Sequence, residues 1–227
     1  MEPLTVALPK GRLLSPAAQL FRSLGWRCGL GNGSRQLLVS ETSSTGERMR
    51  FLLVKSTDVP VYVEYGAADL GIVGQDTLWE SGRDLYEPLQ LGFGHCRLVL
   101  AGTAAQQDIN FRLATGLRVA TKYPTLTGAY FQQRGLSVEL IPLSGSIELA
   151  PLVGLADLVV DVVETGRTLR ENGLVELEEI AACQAILIIN RVTHRLRLGE
   201  IRGLLSRLAV GTPAAHATQP ASEGGAP

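Results

Sequence analysis

Residues 158–169 read Leu-Val-Val-Asp-Val-Val-Glu-Thr-Gly-Arg-Thr-Leu, an apolar run interrupted by Asp161 and followed by Glu164, Thr165, Gly166, Arg167, Thr168 and Leu169. Those residue types in that order suit the capture of an oxyanion. A strand that turns through glycine into the first turn of a helix aims several backbone N–H groups at one point, and the helix dipole there favours negative charge. The hydroxyls of Thr165 and Thr168 flank the glycine and add donors. Asp161 falls toward the C-terminal end of the strand, the side on which open α/β sheets hold ligands. The chemistry expected is binding of a phosphorylated sugar. The same residues also suit an ordinary strand-to-helix turn, with threonine as a cap and glycine supplying a positive φ. The loop by itself leaves both readings open.

A second candidate lies near the start of the chain, where Lys10-Gly11-Arg12 follows an apolar run over 4–8. Ser15-Pro16 predicts an N-cap and first turn for a helix over 16–24, with Ala17, Leu20, Phe21 and Leu24 on one face. Two cations around a glycine at such a junction suit an anion or a nucleotide, and equally a surface loop. Lys55 follows the apolar strand 51–54 and opens a helix whose inner face carries Val59, Tyr62 and Val63.

The elements that must position these groups alternate between strand and helix. Glycines at 71 and 74 bracket a strand, residues 95–102 form another, and residues 117–120 begin a second set of strand–helix units. Tyr123-Pro124-Thr125 predicts the start of a helix over 126–134, Ser144-Gly145-Ser146 opens one carrying Glu148, and 180–190 suits one or two buried strands. A polar, glycine-rich stretch over 29–46 is read as a short hairpin or loop around Leu37-Leu38-Val39. This alternation predicts an α/β chain with mostly parallel sheets. Two lobes with a cleft between them are expected: residues 1–92 with 179–210, and residues 93–178. The last predicted helix spans 198–208 with Ile201, Leu204, Leu205 and Leu208 on its apolar face. The alanine-, glycine- and proline-rich tail 211–227 is expected to be disordered.

Composition narrows the classes. Of 227 residues, 45% are hydrophobic and 19% charged, with a formal net charge of -1, the balance of a soluble globular protein. No basic stripe of the kind that binds nucleic acid is present. Cys28, Cys96 and Cys183 are widely spaced, and His95, His194 and His216 do not cluster with them, so no protein metal site is expected. The thiols read as free and buried in a reducing compartment. No basic leader precedes the short first apolar run and no run approaches the length of a membrane span, so a cytoplasmic location is expected.

The chain resembles the short form of ATP phosphoribosyltransferase, the family that opens histidine biosynthesis. The segments that carry the resemblance are Leu8-Pro9-Lys10-Gly11-Arg12-Leu13, Asp58-Val59-Pro60 with Tyr62-Val63-Glu64, and Ala68-Asp69-Leu70-Gly71-Ile72-Val73-Gly74. Val119-Ala120-Thr121-Lys122-Tyr123-Pro124, Ser144-Gly145-Ser146-Ile147-Glu148-Leu149-Ala150-Pro151 and the stretch through Thr168-Leu169 complete the set, in order over about 4–191. The resemblance implies two α/β lobes of the type II periplasmic-binding-protein kind with the active site in their cleft. It implies transfer of the 5-phosphoribosyl group from phosphoribosyl diphosphate to N1 of ATP, with Mg²⁺ held mainly by substrate phosphates. It also implies a homodimer within a hetero-oligomer, regulated by a separate subunit similar to histidyl-tRNA synthetase.

Carried onto this sequence, the resemblance makes Glu164, Thr165, Gly166, Arg167, Thr168 and Leu169 the cradle of the sugar's 5-phosphate. Asp161 and Glu148 become acceptors for the ribose hydroxyls, while Lys10, Gly11, Arg12, Lys55 and Tyr123 are expected at ATP or diphosphate. Two positions depart from the family's pattern. Lys55-Ser56 stands where arginine and proline are usual, which keeps the charge and loses bidentate geometry, and Arg167 stands where a small or neutral residue is common. A phosphoribosyltransferase acting on a free base shares the Thr-Gly-x-Thr loop but usually carries two adjacent acidic residues, whereas Val162 follows Asp161 here. A non-catalytic bilobal solute-binding protein is the alternative from another class.

Overall fold

The computed structural model describes residues 2–27, 36–107, 111 and 116–211. Cys28, His216, the first part of the expected hairpin and the tail from 212 onward lie outside them. The chain divides into two compact units. The first takes in the described residues up to Val73, Leu85–Phe93 and those from Ala185 on; the second takes in Gly74–Asp84 and Gly94–Gln184.

In the first unit the strands are β1 (Leu4–Pro9), β2 (Leu38–Thr42), β3 (Arg48–Val54), β4 (Leu70–Gly74), β5 (Tyr86–Gln90) and β11 (Ala185–Ile189), in the sheet order β2-β3-β1-β4-β11-β5. Every residue of β1 is buried, as expected of an apolar strand covered on both faces. It runs parallel to β3 and to β4. The sheet is mixed rather than mostly parallel, because β2 pairs antiparallel with β3 and β5 antiparallel with β11. Only residues 43–47 join β2 to β3, and the Ser43 hydroxyl accepts the N–H groups of Thr45 and Glu47 there. A connection that short cannot make the crossover a parallel pair needs.

Helix α1 (Leu14–Ser23) begins two residues earlier than its sequence signals predict. Leu13 occupies the N-cap without a side-chain bond, so Ser15 and Pro16 fall inside the first turn, where proline's missing N–H has no partner to lose. Phe21 sets its ring edge-on to Phe51 at 5.0 Å and to Trp26 at 6.0 Å. Helix α2 (Val59–Glu64) buries Val59 and Val63. After α7 (Arg191–Leu196), α8 (Leu198–Gly211) closes the same core with Ile201, Leu204 and Leu208. It runs three residues beyond its predicted end.

The second unit carries β6 (Cys96–Thr103), β7 (Arg118–Thr121), β8 (Glu139–Pro142), β9 (Leu158–Val163) and β10 (Leu174–Cys183), in the order β10-β6-β9-β7-β8. β7 is parallel to β8 and β9, while β6 is antiparallel to β9 and β10. β10 starts at Leu174 and crosses the boundary expected at 178/179, because its pairing with β6 keeps residues 179–183 in this unit. Cys183 lies opposite Cys96 in that ladder, and both are buried and outside any disulfide. Helix α3 (Gln75–Ser81) also belongs here. Both carboxylate oxygens of Glu80 accept N–H groups from the first turn of α4 (Pro124–Gln133), Thr125 at 2.9 Å and Leu126 at 3.0 Å. Two short helices, α5 (Leu149–Leu152) and α6 (Arg167–Glu171), flank β9 in sequence. Among the described residues no helix is long and apolar enough to cross a membrane.

Candidate functional site

In the second unit β9 lies between β6 and β7 at the centre of the sheet. It delivers Asp161, then a turn, then α6. Gly166 is the N-cap of α6 and carries φ +70°, the conformation for which the turn needs glycine. A Cβ there would stand 2.7 Å from Glu176 Oε1 and 2.9 Å from Arg170 Nη1. The loop is braced from behind. Arg170 donates to the Thr165 carbonyl at 2.8 Å, and Arg97 on β6 grips Glu176 with two bonds of 2.7 and 3.1 Å.

A cavity of about 320 Å³ opens in front of this loop, and its walls include Asp161, Glu148 and the whole run from Glu164 to Leu169. The candidate acidic pair and the candidate phosphate loop are therefore brought to one place. Glu164, Thr165, Arg167 and Thr168 are exposed, and Leu169 sends its side chain into the core. Arg167, in the expected phosphate cradle, donates to Glu171 one turn along its own helix at 2.7 Å.

Glu148 stands at the N-cap of α5, fixed by the buried Ile147 and by Ser146, which has φ +49°. A non-glycine residue there is uncommon and is held by its surroundings. Burial pushes the Asp161 carboxyl up to about 6; the Val162 N–H, donated to its Oδ1 at 2.8 Å, acts against the rise, as does Lys122, while Glu148 and Asp76 add to it.

Tyr123, expected at the nucleotide, is 5% exposed and gives its hydroxyl to Asp76 at 2.9 Å. Burial, then the Asp76 charge, raises its phenol far above the usual tyrosine range. The β7–α4 turn around it is pinned by Thr121, whose hydroxyl donates to the Val160 carbonyl and accepts the Tyr123 N–H, both at 2.9 Å. Asp76, Lys122, Arg170 and Glu176 thus support the site without having been singled out in the sequence. Lys122 alone carried a legible signal, a cation directly after a predicted strand.

In the first unit the cationic candidates also come together. Pro9 of β1 is in register with Val54 of β3, so the next residues, Lys10 and Lys55, leave neighbouring strand ends side by side. The Lys10 N–H donates to the Val54 carbonyl at 2.8 Å. Gly11 turns the chain with φ +95°, and Lys10, Gly11, Arg12 and Lys55 are all exposed. This double cation at parallel strand ends suits phosphate groups.

The family model described as HisG: ATP phosphoribosyltransferase matches residues 55–210. An ATP phosphoribosyltransferase of Syntrophotalea carbinolica is 50% identical over 206 residues, covering 90% of this chain and 93% of its own. One from Geobacter metallireducens is 48% identical over 207 residues, covering 90% and 96%. Among solved structures, an ATP phosphoribosyl transferase (HisG:HisZ) complex from Thermotoga maritima matches with a TM-score of 0.76 and 33% identity, over 92% of this chain and 98% of that one. The periplasmic aliphatic sulphonate binding protein SsuA of Escherichia coli matches with a TM-score of 0.60 over 93% and 72%; at 15% identity this is a likeness of fold alone.

Proposed function

The chain belongs to the ATP phosphoribosyltransferase family, and from that premise we propose which of its groups perform each part of the transfer. The reaction moves the 5-phosphoribosyl group of phosphoribosyl diphosphate to N1 of the adenine of ATP. It releases diphosphate and is the first step of histidine biosynthesis. The bond broken joins the sugar's anomeric carbon to diphosphate, whose oxygen keeps the electron pair. The bond formed uses the lone pair of adenine N1, so no side chain need act as nucleophile. The protein's task is to align two substrates and stabilise charge.

The 5-phosphate binds the loop 164–169 through backbone N–H groups and the hydroxyls of Thr165 and Thr168. Asp161 and Glu148 accept hydrogen bonds from the ribose hydroxyls and oppose the positive charge that develops on the ring. With its pKa near 6, Asp161 is ionised at neutral pH, in a half-buried setting where a charge acts more strongly than in water. Lys10, Gly11, Arg12 and Lys55 take the phosphates of ATP or the departing diphosphate. Tyr123 contributes by holding Asp76. The observation that carries this reading is that Asp161, Glu148 and the loop 164–169 line one cavity.

The family's reaction depends on magnesium. A magnesium ion bound with these substrates would be held mainly by their phosphate oxygens, with the carboxylates of Asp161 and Glu148 on the wall of the same cavity. Bound there, the ion supplies neutralisation of diphosphate charge. The protein works with a separate regulatory subunit, as in the HisG:HisZ complex. Incubation with ATP, phosphoribosyl diphosphate, Mg²⁺ and an active synthetase-like regulatory subunit should yield phosphoribosyl-ATP and diphosphate. Absence of product under those conditions, or product formed from a free base in place of ATP, overturns the reading.

A further inference from the structure

The second unit sets one cation beside Asp161 that the transfer, as assigned above, leaves unused. β7 and β9 run parallel with Thr121 in register with Val160, so the next residues, Lys122 and Asp161, stand side by side. Side chains alternate between the two faces of a sheet. Ala120 and Val159 both pack into the core that holds Ile147, Ala150 and Leu169. Lys122 and Asp161, each two residues on, therefore continue on that same face, where the cavity with Glu148 and the loop 164–169 opens. The Lys122 charge acts on the Asp161 carboxyl there.

The backbone at Lys122 is fixed more firmly than an exposed lysine requires. Thr121 before it is buried and tied to the Val160 carbonyl, and Tyr123 after it is buried and tied to Asp76. Helix α4 begins directly afterwards, but the N–H groups of Thr125 and Leu126 already donate to Glu80, so that helix start is occupied. The Lys122 side chain is exposed, and no hydrogen bond or ion pair engages it among the described residues. At this strand end it is the group left to meet an anion.

Its direction from Asp161 follows from the sheet order β10-β6-β9-β7-β8. The loop 164–169 leads into α6, which packs on β10, and a Cβ on Gly166 would meet Glu176 of that strand. Lys122 extends from β7, on the other side of β9. The phosphate loop and Lys122 thus flank Asp161 from opposite sides. In a phosphoribosyl group the 2- and 3-hydroxyls occupy the ring edge between the carbon that bears the phosphate arm and the anomeric carbon. With the 5-phosphate in the loop and the hydroxyls on Asp161, the anomeric carbon comes to the Lys122 side.

We propose that Lys122 binds the diphosphate of phosphoribosyl diphosphate, at the phosphate next to the anomeric carbon. When the bond from that carbon to oxygen breaks, the oxygen keeps the electron pair, and the Lys122 ammonium stabilises the charge it gains. The proposal rests on the assignment of the 5-phosphate to the loop 164–169.

The test is calorimetry on the full chain assembled with its regulatory subunit, with Mg²⁺ present. The two probes are phosphoribosyl diphosphate and ribose 5-phosphate, which lacks the diphosphate. Lys122→Gln should weaken phosphoribosyl diphosphate at least about tenfold, the worth of a charge-assisted contact, and leave ribose 5-phosphate unchanged. Thr168→Ala checks the loop separately and should weaken both probes. If it does so while Lys122→Gln leaves phosphoribosyl diphosphate unchanged, or weakens both probes equally, the role of Lys122 is overturned and the loop assignment stands. If Thr168→Ala leaves ribose 5-phosphate unaffected, the loop assignment falls and the role of Lys122 falls with it.

Discussion

Replacing Asp161 by asparagine should make the protein more stable and a far poorer catalyst. The side chain keeps its shape and an oxygen to accept the Val162 N–H, which Asp161 now holds at 2.8 Å. What it loses is the charge. Burial moves the carboxyl from 3.8 to about 6, and at 1.36 kcal/mol per pH unit that difference is worth at most about 3 kcal/mol. The sign follows from the direction of the shift. A raised carboxylate pKa means the folded state resists ionisation, so the cost is absent below 3.8, grows as the pH rises and is complete above about 6. Asparagine never incurs it. Thermal or urea unfolding at pH 4 and pH 8 should therefore give little difference from wild type at the lower pH and a gain of up to about 3 kcal/mol at the higher. Turnover should move the other way. A unit charge about 4 Å from the reacting carbon, at an effective dielectric of about 20, contributes about 4 kcal/mol, which is roughly a thousandfold in kcat. Wild-type turnover should rise with pH through about 6, and the variant should lack that limb. A gain over wild type that is no larger at pH 8 than at pH 4 refutes the burial argument, and an unchanged kcat removes the carboxylate from the reacting sugar.

Gly166→Ala forces a side chain into a left-handed turn and against Glu176 and Arg170; stability should fall by about 1–2 kcal/mol in urea unfolding, with phosphoribosyl diphosphate affinity falling as well. Thr168→Ala should weaken phosphoribosyl diphosphate about tenfold by calorimetry and leave ATP unaffected; equal loss of both would take the phosphate away from this loop. Glu80→Ala uncaps α4 and should cost about 1 kcal/mol, measurable by urea unfolding, with Glu80→Gln recovering part of it.

Local features of the fold were legible where the cause is local. The apolar residues of β1, the glycine that α6 needs at 166 and the cations after β1 and β3 all follow from neighbours in sequence. The features that escaped depend on distant partners. Glu176, Glu178 and Glu179 resemble a solvated linker until Arg97, Arg134 and Tyr130 are seen across the sheet edge. Glu80 carries no sign in sequence that it caps a helix starting more than forty residues later. The resemblance places Tyr123 near the nucleotide, while its buried bond to Asp76 depends on packing between segments far apart in the sequence. Arg167, placed in the phosphate cradle by the resemblance, pairs on the helix surface with Glu171 four residues on.

The order of strands in the first unit bears on how the protein is made. β11 lies between β4 and β5, yet it is the last strand synthesised, more than a hundred residues after β4. On the ribosome the second unit has all its strands once Gln184 emerges, while the sheet of the first is still missing an inner member. The N-terminal strands must wait, with β4 an exposed edge able to recruit another nascent chain. Slow translation through 95–184 should therefore favour aggregation of the earlier half over misfolding of the later one.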